Sequence, residues 1–160
     1  MEEIGSTRAI EVTKLAMDGL LMRQNAIAAN TANVMSPGYH RKEVVFEDQL
    51  RDIISKDNYK QEIKQANSKA LSYNASSLDQ VQKPTKEQLS VLNKNSYSVY
   101  KPEIVADYSY NGSNDGNNVE VEKEMMDMAQ TGMQYNILSN LESKMLSGLT
   151  EVIKGVGGSN

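Results

Sequence analysis

The chain contains no cysteine and no tryptophan, and only one phenylalanine, one histidine and three prolines among 160 residues. Without cysteine, disulfides and thiolate metal sites are excluded, and the redox state of the compartment has no bearing on the fold. The one imidazole, His40, stands beside Arg41 and Lys42 with no second imidazole or thiol to build a metal or nucleophile site around it, so it reads as a solvated surface residue. No glycine-rich phosphate loop follows a strand pattern, and the acids lie mostly beside lysines on helical faces, as in Glu142 with Lys144. No catalytic residue, cofactor or metal is expected, and the chain is not expected to be an enzyme. A formal charge of -4 with interspersed signs argues against nucleic acid. No run of about 18 apolar residues is present, so no direct membrane insertion is expected, and the acids Glu2 and Glu3 stand where a signal peptide would be basic. A hydrophobic content of 39% with a single Phe makes a thin core, so burial must be economical or shared with neighbours.

What the chain does have is helical periodicity at both ends. Over 7–33, Ala9, Val12, Ala16, Leu20, Ile27 and Val34 follow steps of three and four, with Arg23 and Asn30 in the missing places. This predicts a helix of about 27 residues, roughly 40 Å long, capped by Ser6 or Thr7. Leu15, Met17, Leu21 and Met22 widen its apolar surface, which implies a second contact face. Towards the C-terminus Val121, Met125, Met128, Gly132, Tyr135, Leu138, Glu142, Met145, Leu149 and Val152 repeat the pattern over about 35 residues, with Asn118 as cap and Gly155, Gly157 and Gly158 as the stop. Val12, Ala16, Leu20 and Ile27 are expected to pack against Val121, Met125, Met128, Tyr135, Leu138, Met145 and Leu149. Arg23 and Glu142 are the charged intruders on the two stripes, and are expected to set register through polar contacts, preferably between subunits.

Between the helices the period changes. Residues 39–46 read as a short extended surface segment, 47–55 as a helix that 57–70 extends weakly, 71–85 as a polar loop, and 96–108 as one or two edge strands broken by Pro102. A turn-forming linker runs over 110–117. The fold expected is mainly α, with long terminal helices packed as an antiparallel, coiled-coil-like core domain (1–35 plus 118–160) that places Val34 near Val121. A central irregular insert (36–117) carries short helical and β segments. All nine methionines lie outside that insert's centre, and their flexible thioethers suit a surface that packs against non-identical neighbours.

The first helix ends in a polar ladder and a hard stop: Arg23, Gln24, Asn30, Ala32 and Asn33, then Ser36, Pro37, Gly38 and Tyr39. This stretch resembles the N-terminal signature of the axial proteins of the bacterial flagellum, the rod, hook and hook-associated proteins, with Ser36 in place of the usual threonine. The short length, the charged segment into Phe46 and the run from Gly116 to Met125 look most like the proximal-rod members. The resemblance covers roughly the first 50 and last 45 residues.

It implies a structural subunit of the rod that assembles with copies of itself and other rod proteins into a drive shaft, touching membrane-ring and rod-adaptor proteins at its base. It further implies export by the flagellar secretion apparatus without a cleaved signal peptide, and a rod location in the periplasm. On this reading the motif serves assembly rather than folding, with the Asn30 and Asn33 amides reaching a neighbouring helix. The alternative from the residues alone is a soluble coiled-coil adaptor or secreted interaction module.

Overall fold

The computed structural model describes residues 2–73, 100–109 and 114–156. The chain order is α1 (Glu2–Ala32), β1 (Lys42–Val45), α2 (Glu47–Tyr73), β2 (Glu103–Ala106) and α3 (Val121–Val156). The architecture is mainly helical, as the periodicity predicts. Two compact units emerge, Met1–Glu47 with Pro102–Asn160, and Asp48–Lys101. The two strands, which are separated in sequence by α2, therefore belong to the same unit as the terminal helices.

In the first unit α1 and α3 run antiparallel: Asn30 bonds Glu124 while Gln24 reaches Gly132, so ascent along one helix matches descent along the other. On the face of α1 that turns inward Leu20 and Ile27 are buried, Val12 and Ala16 half-buried, and Thr13 and Ala26 buried beside them. On α3 the inward face is rotated by about one residue from the expected stripe in its first turns. Glu124 and Thr131 are buried, Val121, Met128, Tyr135, Leu138, Met145 and Leu149 are half-buried, and Met125 is 66% exposed. Met125 is thus not a packing residue in this chain. Glu124 takes its place, because its charge is compensated from β1, which helical spacing alone does not reveal.

β1 and β2 form an antiparallel pair with Lys42 opposite Ala106 and Val45 opposite Glu103. Val44 and Phe46 are buried. In the second unit α2 is one continuous helix where a short helix with a weak extension was expected; Leu50, Ile53 and Asp57 are buried on it, and the Lys101 N–H donates to Gln49 Oε1 at 3.0 Å. Ser6 and Thr7 lie inside α1 instead of capping it, and Gly155 lies inside α3. Positions 74–85 of the expected loop, the strand positions 96–99, 110–113 of the linker and the tail glycines at 157 and 158 lie outside the described residues.

The exit from α1 is a type II turn. Tyr39 N–H donates to Ser36 C=O at 3.2 Å, Pro37 fixes φ at the second position, and Gly38 has φ +71° at the third. Nothing lies within 4 Å of a Cβ built on Gly38 or on exposed Gly148 in α3, so substitution there tests backbone conformation alone. Gly38→Ala is expected to lower stability by about 1–2 kcal/mol, the cost of a left-handed alanine. Gly148→Ala is expected to raise it by about 0.5–1 kcal/mol. Denaturant midpoints of the purified chain check both signs.

Candidate functional site

The Asn30 side chain is fully buried and spends all of its hydrogen-bonding capacity inside the chain. Nδ2 donates to the Lys42 carbonyl at 2.8 Å and to Glu124 Oε2 at 3.0 Å; Oδ1 accepts from the Lys42 N–H at 2.8 Å and from the Tyr39 hydroxyl at 3.2 Å. The two Lys42 bonds have the form of a strand pair. In the antiparallel register Arg41 C=O faces β2, where it accepts from Asp107 N–H at 2.7 Å, so the alternate residues Lys42 and Val44 face α1. Asn30 satisfies Lys42, and Arg23, two helical turns earlier, donates from Nη2 to the Val44 carbonyl at 2.8 Å. The same guanidinium pairs with Glu47 and lies 4.7 Å from the Phe46 ring centroid. These two intruders on the apolar stripe close the inner edge of β1.

Arg41 locks the strand to α3. Its Nε donates to the fully buried Glu124 at 2.6 Å, Nη2 to Asp127 at 2.8 Å and Nη1 to Glu43 at 3.4 Å. Burial opposes its charge, but the hydrogen bond and charge of Glu124, with Glu43 and Asp127 behind it, leave the guanidinium pKa raised. Tyr39 is raised as well, by burial and then by the charge of Glu124. Its ring takes the Lys42 ammonium at 5.7 Å from the centroid.

The run Gly116 to Val119 answers the other half of the motif. Asn117 Nδ2 donates to the carbonyls of Asn33, Val34 and Ser36, each at 2.9 Å, and so gathers the carbonyls of the turn that follows α1. Its Oδ1 accepts from Val119 N–H at 2.8 Å. Gly38 N–H donates to the Asp115 carbonyl at 2.8 Å, and a Cβ on Gly116, φ +76°, would stand 3.7 Å from the Gly38 Cα. Asn118 does not cap α3. Its Oδ1 accepts from Arg41 N–H at 2.7 Å and its Nδ2 donates to the carbonyls of Asp107 and Ser109.

The structure thus brings Arg23, Asn30, Asn33, Ser36, Pro37, Gly38 and Tyr39 to one end of the helix pair, with Asn30 fully buried, Arg23, Asn33, Ser36 and Tyr39 half-buried, and Pro37 and Gly38 exposed. Of the two amides, Asn30 does reach a neighbouring helix, but it is α3 of the same chain, whereas Asn33 stays within its own segment: Asn33 Nδ2 donates to the Ala29 carbonyl at 2.8 Å and its Oδ1 accepts from Ser36 Oγ at 3.3 Å. Arg23 finds its partners on β1 of the same chain, contrary to the expected contact between subunits. Glu142 is half-buried on α3, and its side chain forms no hydrogen bond or ion pair with the described residues. Ala32 is exposed, and the Gln24 amide occupies the space beside Gly132, 3.9 Å from where a Cβ would stand. His40 is exposed and tilts against Tyr108, centroids 4.7 Å apart. The sequence reading missed Arg41, Glu124 and Asn117 as partners. The one available signal was two asparagine-rich stretches at opposite ends of a chain with antiparallel terminal helices.

The site is an antiparallel helix pair keyed at one end by amide and guanidinium bonds between motifs far apart in the chain, which defines a helical protein whose polar motifs join two long helices. No family model matches the chain. It is 30% identical over 146 residues, 91% of its length and 96% of the relative's, to the flagellar basal body rod protein FlgB of Borrelia hermsii. It is 25% identical over 147 residues, 92% and 96% of the two lengths, to FlgB of Borreliella burgdorferi. The chain belongs to the FlgB family of flagellar basal body rod proteins.

Two measurements test the energetics of the interlock. Arg41→Met strands Glu124 in the interior and is expected to cost about 3–5 kcal/mol, whereas adding Glu124→Met should return part of that loss. A double variant as unstable as the single in urea would show that the ion pair is not the source. Glu47 is held below the ordinary carboxylate range: desolvation opposes this, but the Arg23 hydrogen bond, backbone N–H donors and the Arg23 charge outweigh it. Asp107 is lowered too, by hydrogen bonds from Ser109 first, then Arg41 and Lys123. A folded pKa below the unfolded one stabilises above the unfolded value and is lost as pH falls through the folded one. Stability is therefore expected to decline from about pH 4 downward. Glu47→Gln should flatten that decline by about 0.5 kcal/mol, a small effect because the side chain is half exposed.

Proposed function

We propose that the chain is a subunit of the proximal rod, which assembles with copies of itself and other rod proteins into the shaft that carries torque from the membrane ring outward. The observation that carries this is a second apolar face on α3. Met126, Met133, Ile137 and Leu141 are exposed, and steps of seven, four and four place them on one side of the helix, away from the face that meets α1. A row of large apolar side chains on a long, otherwise polar surface marks an interaction site. Its methionines adapt to neighbours of different shape, as a shaft built from several proteins requires.

Torque then passes through packed helices held rigid by the interlock, and no bond is made or broken. On the same reading the subunit reaches the periplasm through the flagellar export apparatus without a cleaved signal peptide and meets membrane-ring and rod-adaptor proteins at the rod base.

The test is Met126→Glu with Ile137→Glu in the otherwise intact chain, returned to the flagellated bacterium that encodes it. Both side chains face solvent, so monomer stability should change by no more than about 0.5 kcal/mol per site. Swimming and recovery of the chain in purified basal bodies should be lost, since burying a carboxylate in an apolar contact is costly. Normal swimming would exclude this face from assembly.

A further inference from the structure

Of the two edges of the β1–β2 pair, one is spent. Asn30 and Arg23 close the inner edge of β1 through the backbone of Lys42 and Val44. The outer edge of β2 is open. Asp107 N–H donates to the Arg41 carbonyl, and the register sets Val105 opposite Glu43 and Glu103 opposite Val45, so these three residues of the second strand turn their backbone groups towards β1. The alternate residues Ile104 and Ala106 turn theirs away from it, and neither makes a hydrogen bond on that side among the described residues.

The side chains beside this edge are apolar. Ile104 is 54% exposed, and Val105, on the opposite face of the strand, is exposed as well. Edge strands are commonly blunted by lysine, proline or a bulge, and 103–106 carries none of these. Pro102 offers no N–H, so the open edge starts at Ile104. Two rungs remain, each with one N–H and one C=O spaced along a strand. That arrangement fits one kind of ligand, an extended polypeptide backbone.

A second copy of β2 is a poor occupant. The antiparallel register that uses both rungs of both copies sets Ile104 against Ala106 and Val105 against its own counterpart, and it places Glu103 opposite Asp107, a like-charge pair, at both ends. A two-fold contact of that kind also closes on itself and cannot continue along a shaft. We infer that the outer edge of β2 takes up an extended segment of a neighbouring rod subunit as a third strand, with Ile104 and Ala106 making its main-chain hydrogen bonds and no acid of the partner beside Glu103. Such a contact complements the apolar row of α3. The row contributes area, and the added strand contributes register between subunits, because a slip of one residue turns each of its side chains to the other face. The inference rests on the rod reading above, which supplies the neighbour.

The experiment is amide hydrogen exchange, resolved to single residues by mass spectrometry, on the purified chain and on basal bodies purified from motile cells. In the free chain Ile104 and Ala106 are expected to exchange much faster than Val105, whose N–H faces β1. In basal bodies exchange at Ile104 and Ala106 is expected to slow at least about 100-fold. In parallel, Ala106→Pro removes one outward N–H while leaving β1 its donors, and Ala106→Val keeps it. Recovery of the proline variant in basal bodies is expected to fall at least about tenfold below that of the valine variant, with similar urea midpoints for the two purified chains. If the proline variant unfolds early, the exchange comparison on the unsubstituted chain decides alone. Exchange at Ile104 and Ala106 as fast in basal bodies as in the free chain, or equal recovery of two equally stable variants, overturns the added strand and leaves the rod reading standing. Absence of the unsubstituted chain from basal bodies overturns both.

Discussion

The structure of the helical unit depends on the need of β1 for hydrogen-bond partners on the edge that faces α1. A strand beside a helix normally leaves that edge open, because helix backbone groups are already used within the helix. Here the Asn30 side chain stands in for a missing strand, meeting both the N–H and the C=O of Lys42, and Arg23 meets the next inward carbonyl. The requirement is strict because Asn30 is fully buried: an amide left without a partner there would cost more than any single apolar contact nearby returns. Once Asn30 is fixed, its remaining donor and acceptor fix Glu124 and Tyr39, and Glu124 in turn fixes Arg41.

This chain of obligations explains why the two helices need so little apolar surface to find one register. Most of the inward positions of α3 are half-buried, and a stripe of that kind would tolerate a shift by one turn at modest cost. Shifting α3 would separate Glu124 from Arg41 and Asn30, leaving a charge in the interior. Specificity therefore comes from polar groups at one end of the helix pair, while cohesion comes from apolar contacts distributed along it. The same division leaves the outer face of α3 free for other work.

The exit from α1 and the lead-in to α3 are bound to each other. The Ser36–Tyr39 turn is bracketed by Asp115, Gly116 and Asn117, so the direction in which the chain leaves α1 is set by residues that precede α3. In this FlgB-family chain the exit direction is held by several hydrogen bonds and a close approach of two glycines. It ties two long helices, a strand pair and a turn into one unit.

The residues by themselves determined the helical class, the lengths of α1 and α3 to within a few positions, and the turn at Pro37 and Gly38. These follow from local steric preference and from periodicity, which act within a few residues of each other. They also made plain that Arg23 and Asn30 were out of place in an apolar stripe. The partners of those two residues were beyond reach, because a side chain that bonds the backbone of a strand leaves no mark on the identity of the strand residue: any amino acid at position 42 would offer the same N–H and C=O. Glu124 was passed over for Met125 for a related reason. A glutamate is a poor core residue until an arginine 83 positions away in sequence is seen beside it. Only the tertiary structure decided that the asparagines of the two motifs bond within the chain and join the exit from α1 to the lead-in to α3, since the energy of a buried polar group is set by what surrounds it and not by its neighbours along the chain.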